Sequence, residues 1–266
     1  MLLTALTGSA AEPYRSPYEV KFTFPEEELI GDLQGARGDW KNEASVPYAE
    51  WFSAATQKRF GSWGPAAQHF PPPPGVEQKG AAWMEQRIIA TALRFRGCHY
   101  QHHHIPDWEP PAGWPIGKGA LPPAKGVDCS NFTAFVYNQA LGLKPSGDIH
   151  EQAAMTEVAG PGTERRSPVL RIDRPAGYAD FARQFKTGDL LFIRGQPDGE
   201  VTHVVLWVGA IGRSRNQVPL ILDSTAGARQ DENGTTIPDG VQLRPFTTTS
   251  WYFRCASHAL RLIPAP

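Results

Sequence analysis

The stretch "TGDLLFIRGQPDGEVTHVVLWVG", residues 187–209, decides the fold. Its two apolar runs, 189–195 and 203–209, are too short for helices and rich in Val, Ile, Leu and aromatics. Between them, Gly195, Pro197, Asp198 and Gly199 are residues of tight turns, so the whole reads as strand, turn, strand. Downstream, "PLILDS" (219–224) and "HALRLI" (258–263) have the same character. Upstream the period changes to that of helices. "AAWMEQRIIATALRFRG" (81–97) sets Met84, Ile88, Ala92 and Phe95 at helical spacing, with Gly97 where a left-handed cap belongs. A second helix over 130–141 aligns Phe132, Val136 and Ala140 and stops at Gly142, and further helices are expected near 149–158 and 178–185. Helices first and strands after them predict an α+β fold, with N-terminal helices packed on an antiparallel sheet, rather than a doubly wound parallel one.

Length and charge leave room for one such domain with an extension. The chain has 266 residues, 41% of them hydrophobic, and a formal net charge of −1 with the two signs interspersed. No basic stripe calls for nucleic acid, and no apolar run approaches the ~20 residues of a transmembrane helix. Residues 1–11, "MLLTALTGSAA", resemble the end of a secretory signal cleaved after Ala11, although a basic leader region is lacking; the alternative is a frayed terminus. Residues 12–80 form an N-terminal extension, rich in Pro, Gly and aromatics, with one short helix expected at about 47–58. It ends at "HFPPPPG", whose prolines favour an extended boundary segment. We read it as packed against the main domain, 81–266, in preference to a small independent binding module.

Cys98, Cys129 and Cys255 are the three cysteines, an odd number that leaves at least one thiol free. Two of them are expected to be buried thiols, with a Cys98–Cys255 bridge as the alternative. Cys129 differs from the others in opening a helix, in "GVDCSNFTAFVYNQALG" (126–142), with Asp128 in the N-cap position. Unsatisfied N–H groups and the positive end of the helix dipole favour thiolate there. The bland reading of such a cysteine is a small core residue. A nucleophile needs an imidazole to take and return a proton, and a polar group to hold that imidazole. His203 opens its strand at a place where a side chain can face the helix end, and the strand at 219–224 would bring Asp223 alongside. The bland alternatives are a half-buried strand histidine and a turn-capping aspartate.

These motifs in this order resemble the NlpC-type family of cell-wall cysteine peptidases, within the papain-like superfamily. "DCSNF" is similar to the family's Asp-Cys-Ser-Gly/Asn pattern, "TGDLLFI" to its Gly-Asp-Leu strand, and "THVVLWVG" to its His-Val-Gly-Ile-Tyr-Ile-Gly strand. Tyr100, in "CHYQHHHIP", stands where the family carries a tyrosine ahead of the cysteine. The likeness runs from about residue 81 to 263. It implies a papain-like core in which Cys129 is the nucleophile, His203 the general base and acid, and Asp223 the residue that orients the imidazole. It further implies that Tyr100, Asp128 and Ser130 contact substrate. The implied substrate is the stem peptide of peptidoglycan, cleaved next to D-glutamate by way of a thioester, in the periplasm or outside the cell. No cofactor is implied.

Two departures stand out. The family's third residue is usually His, Asn or Gln, where this chain has Asp223. The loop "CHYQHHHIPDWEPPAGWPIGKGALPPAKG" (98–126) is long and lacks the family's Gly-Gly. Three consecutive histidines, His102, His103 and His104, cannot all face one ion, so no metal site is expected. Two other functions stay open: acyl or amide transfer by the same three residues, as in transglutaminase-like proteins, and a non-catalytic module that binds cell wall or protein.

Overall fold

The computed structural model describes residues 14–34, 53–55, 58, 70–97, 100, 127–160 and 166–263. The expected signal remnant, most of the expected helix at 47–58, Cys98 and the histidine loop lie outside the described residues.

Strand β1 (Glu19–Val20) and the one-turn helix α1 (Glu26–Ile30) precede the two long helices, α2 (Ala81–Leu93) and α3 (Cys129–Leu141). A short α4 (Ile149–Ala153) leads into β2 (Glu157–Ala159), β3 (Arg166–Pro168) and β4 (Leu170–Asp173), followed by α5 (Tyr178–Gln184). The helix expected over 149–158 therefore ends early. Asp148 caps its start, but Thr156 and Val158 are β-branched, and Val158 enters the core from a strand. Then come β5 (Leu190–Arg194), β6 (Val201–Trp207), β7 (Gly212–Arg213), β8 (Leu220–Thr225), β9 (Arg229–Gln230), β10 (Thr236–Ile237) and β11 (Gly240–Pro245). A one-turn α6 (Trp251–Arg254) and β12 (Ala256–Arg261) close the domain.

Six strands form one antiparallel sheet in the order β11-β8-β6-β5-β12-β4, with β5 and β6 as the expected hairpin. Leu190, Phe192, Val204, Leu206 and Leu222 face the layer of α2 and α3, where Phe95 meets Phe135 edge to face at 5.2 Å. Leu191, Ile193, Val205, Trp207 and Ile221 face a second core built from Phe181 and Phe185 of α5 and Tyr252 of α6. Being covered on both faces, the central strands carry unbroken apolar runs, which is why they were legible. The chain has the α+β class that its element order predicts.

Residues 14–34 and 70–76 of the N-terminal extension contact this core. Leu29 and Leu33 are buried, and Arg87 of α2 reaches across to Leu29 and Asp32. Its guanidinium grips Asp32 through two hydrogen bonds of 2.6 and 2.7 Å and also donates to the Leu29 carbonyl. Its Nε meets the Ala140 carbonyl of α3 at 2.6 Å. One buried cation thus ties the extension, α2 and α3 together. The polyproline segment is fastened too: Phe70 is fully buried and its N–H donates to Asn138 at 3.0 Å.

Gly142 ends α3 at φ +69°, and a Cβ there would lie 2.9 Å from both the Phe70 carbonyl and the Pro72 nitrogen. Both neighbours are backbone, so neither gives way cheaply. Gly142→Ala is expected to destabilise the protein by about 2 kcal/mol or more, through left-handed strain and displacement of the proline segment. Chemical denaturation measures it, and an unchanged midpoint would show that the segment yields freely.

Candidate active site

The start of α3 is fixed from three sides. Asp128 is extended, at φ −84° and ψ −179°, and its carboxylate accepts the Asn131 backbone N–H at 2.9 Å, so the helix begins at Cys129. The Asn131 side chain returns two further hydrogen bonds to that carboxylate. The hydroxyl of Ser224 in β8 donates to the Val127 carbonyl at 2.6 Å, which pins the helix mouth to the sheet.

The sheet opens at the same place. β6 and β8 pair only at Leu206–Leu222 and Trp207–Ile221; beyond these the strands separate, and a bulge interrupts the β5–β6 ladder next to His203. His203 and Asp223 lie in that separated stretch, between the two hydrophobic layers. His203 Nε2 is 2.7 Å from Asp223 Oδ1, and the two residues are 6% and 0% exposed. With Nε2 engaged there, Nδ1 is the nitrogen left for Cys129. Burial pulls the His203 pKa down. The negative charges of Asp223 and Cys129, with a hydrogen bond to each, more than reverse this and push it up to about 10. Burial would push the Asp223 carboxyl up, but the imidazolium, the Arg244 charge and hydrogen bonding hold it below its ordinary value.

Tyr100 is half-buried beside these groups. Burial, then the negative charges of Cys129, Asp128 and Asp223, push its pKa up to about 12, so it remains a protonated donor at neutral pH. Five of the six candidate residues thus sense one another. The sixth, Ser130, is buried and turned elsewhere: its hydroxyl donates to the Gly147 carbonyl at 2.7 Å, with Asp128 3.4 Å away. Asp128, for its part, spends both carboxylate oxygens on Asn131.

Three residues at the site were not anticipated. Tyr252 donates its hydroxyl to Asp223 Oδ2 at 2.5 Å, Arg244 Nε lies 3.3 Å from the same oxygen, and the Trp251 ring is 5.4 Å from the imidazole. Each comes from an element with little periodicity of its own. His258, another polar residue near the sheet, stands apart: its Nε2 meets the Ala153 carbonyl at 2.9 Å and its ring stacks on Phe192. Cys129 and Cys255 are both free, buried thiols. Among the described residues no group of three or more His, Cys, Asp or Glu side chains is placed to hold a metal ion, and no helix is long and apolar enough to cross a membrane.

A thiol at a helix mouth, with an imidazole between it and a carboxylate, forms an arrangement suited to acyl transfer. The model of the NlpC/P60 family matches residues 114–248. Among solved structures, an NlpC/P60 family protein from Bacillus cereus is similar at 18% identity and a TM-score of 0.41, over 68% of this chain and 40% of that one. The NlpC/p60 domain of the peptidoglycan hydrolase SagA is similar at 20% identity and a TM-score of 0.37, over 66% of this chain and 97% of that domain. No protein of curated function matches.

Proposed function

The chain belongs to the NlpC/P60 family, whose model matches residues 114–248, and from that membership we propose that it is a cysteine peptidase of the cell envelope that hydrolyses amide bonds in peptidoglycan stem peptides. The observation that carries this reading is the buried His203–Asp223 contact of 2.7 Å, with Cys129 acting on the same imidazole.

On this reading the Cys129 sulfur attacks the amide carbon while His203 holds the proton. The oxyanion that forms is received by the Cys129 backbone N–H at the head of α3, with the Tyr100 hydroxyl as second donor. Collapse breaks the C–N bond, and His203 passes its proton to the leaving nitrogen, giving a free amine and a thioester on Cys129. A water molecule, deprotonated by His203, then attacks the thioester and releases a carboxylic acid and the thiol. Asp223 accepts the imidazole N–H throughout, fixing the ring and stabilising the imidazolium. Asp128 shapes the helix mouth that receives the peptide's amino end, and Ser130 backs it from the Gly147 side.

Digestion of purified cell wall tests the reading. Each cut is expected to release one new amine and one new carboxyl end, and an added primary amine is expected to leave the products unchanged. Preferential formation of an amine adduct would instead mark a transferase, and binding to wall without release of fragments would mark a non-catalytic module.

A further inference from the structure

An aspartate in the third position introduces a buried negative charge, whereas the resemblance drawn above puts His, Asn or Gln there. Asp223 is fully buried, and an uncompensated carboxylate in such a place costs several kcal/mol. Its Oδ1 is taken by His203 at 2.7 Å. Its Oδ2 receives the Tyr252 hydroxyl at 2.5 Å and stands 3.3 Å from Arg244 Nε. Tyr252 is 4% exposed and Arg244 1%.

We propose that Tyr252 and Arg244 are positioning residues for the cleavage described above, holding Asp223 as an aimed carboxylate so that the three work as one unit behind His203. The assignment rests on the peptidase reading for its consequence in catalysis, but on side-chain geometry for its substance. Arg244 is anchored at its far end, where Nη2 donates to the Pro238 and Gly240 carbonyls at 2.6 and 3.3 Å. Its Nε and Nη1 make no hydrogen bond among the described residues, so the guanidinium serves Asp223 as a buried counter-charge rather than as a second aligned donor. Alignment comes from Tyr252. Helix α6 is one turn long, capped by Ser250, and it sets the Tyr252 and Trp251 rings 6.3 and 5.4 Å from the imidazole. Burial and the charge of Asp223 hold the Tyr252 phenol well above its ordinary pKa, so it stays a donor. The charged and titratable groups around Asp223 are accordingly His203 from β6, Arg244 from β11, Tyr252 from α6, Cys129 from α3 and Tyr100 ahead of it, with Arg229 of β9 acting on Tyr252 from outside.

The two compensating residues make a signed prediction. Beside Asp223, Arg244 neutralises a charge. Beside a neutral amide it becomes a buried cation that opposes the imidazolium. The rate at which iodoacetamide alkylates Cys129 at pH 6, followed by mass spectrometry of the Cys129 peptide in the full chain, reads the thiolate that His203 supports and needs no substrate. Tyr252→Phe and Arg244→Met are each expected to slow alkylation by about tenfold, because a fully buried Asp223 deprived of either partner takes up a proton and no longer supports the imidazolium, a loss on the scale of a charged hydrogen bond or ion pair. In wall hydrolysis they are expected to lower kcat with KM unchanged. The double variant Asp223→Asn/Arg244→Met is expected to alkylate faster than Asp223→Asn alone. The assignment is overturned if Tyr252→Phe alkylates at the parental rate, if Arg244→Met slows both backgrounds alike, or if the parental thiol reacts no faster than a free one. Should Arg244→Met fail to fold, Tyr252→Phe decides. The expected alkylation pattern without any wall hydrolysis by the parent would remove the peptidase reading and leave this assignment standing.

Discussion

Wall hydrolysis by the Cys129→Ala protein is expected to fall by about 10⁴-fold or more while the protein stays folded. Without sulfur no thioester forms, and what His203, Asp223 and the helix mouth retain is the ability to bind and polarise the amide. Folding tolerates the change because the site's framework does not run through the thiol. Asp128 caps α3 through Asn131, Ser224 anchors Val127, and the His203–Asp223 contact lies on the far side of the imidazole. Loss of one sulfur atom from a residue 6% exposed leaves a small void, worth about 1 kcal/mol. Cys255 cannot take over, since it is buried in the second core layer among Phe181, Ala256 and Ala259. Release of stem-peptide fragments from purified wall, with circular dichroism as the folding control, measures the effect. Retained hydrolysis would sink the assignment of Cys129 and with it the proposed chemistry.

What the sequence revealed of this site follows from where the three central residues sit. Cys129 opens a helix, as its sequence position predicts, whereas His203 opens and Asp223 closes only the apolar run. Strand β6 starts two residues earlier, at Val201, and β8 runs on to Thr225, because Thr202 separates Val201 from the apolar run and Ser224 and Thr225 extend their strand without adding to it. Strands β5, β6 and β8 were legible because burial on both faces leaves no polar alternation to blur them. Strand β11, "GVQLRP", was not, although it is buried throughout. Gln242 and Arg244 interrupt its apolar pattern, and the Arg is tolerable only because Asp223 lies on the neighbouring strand. That compensation is a tertiary fact about residues 21 positions apart. Tyr252 was hidden for a different reason: a helix of four residues has no period to read, and its only local signal is the cap at Ser250. The marginal strands β2, β3 and β4 are largely exposed, and their pairing is set by neighbours rather than by their own residues.

The buried ion pair behind the thiol should also make stability fall as pH rises above neutrality, and the Cys129→Ala protein isolates that effect from titration of the thiol itself. His203 has its pKa raised from 6.5 to about 10 in the intact site, against the pull of burial, by Asp223 first and Cys129 second. With the sulfur gone Asp223 alone works against burial, so the upper end of the window drops below 10, and the sign of the pH dependence reads whether Asp223 by itself outweighs burial. A group whose folded pKa lies above its unfolded value contributes its full stabilisation below the unfolded pKa. In this case the contribution is complete below about 6.5 and is lost as pH climbs through the folded value, because the native state then holds a proton that the unfolded chain has released. The slope approaches about 1.4 kcal/mol per pH unit inside the window. The Asp189 carboxyl, raised above its usual 3.8 by burial, has the same sign from the acid side, and the Asp223→Asn comparison separates it from His203. Asp223 has a lowered pKa, so its contribution is lost only as pH falls below its usual 3.8, and His258, held low by burial, acts below 6.5. Urea midpoints of the Cys129→Ala protein at pH 6.0, 7.5 and 9.0 are expected to fall in that order, and adding Asp223→Asn is expected to flatten the series. Midpoints that stay level, or rise, in the Cys129→Ala protein would show that Asp223 does not hold His203 as an imidazolium, and the orienting role assigned to it would then fail.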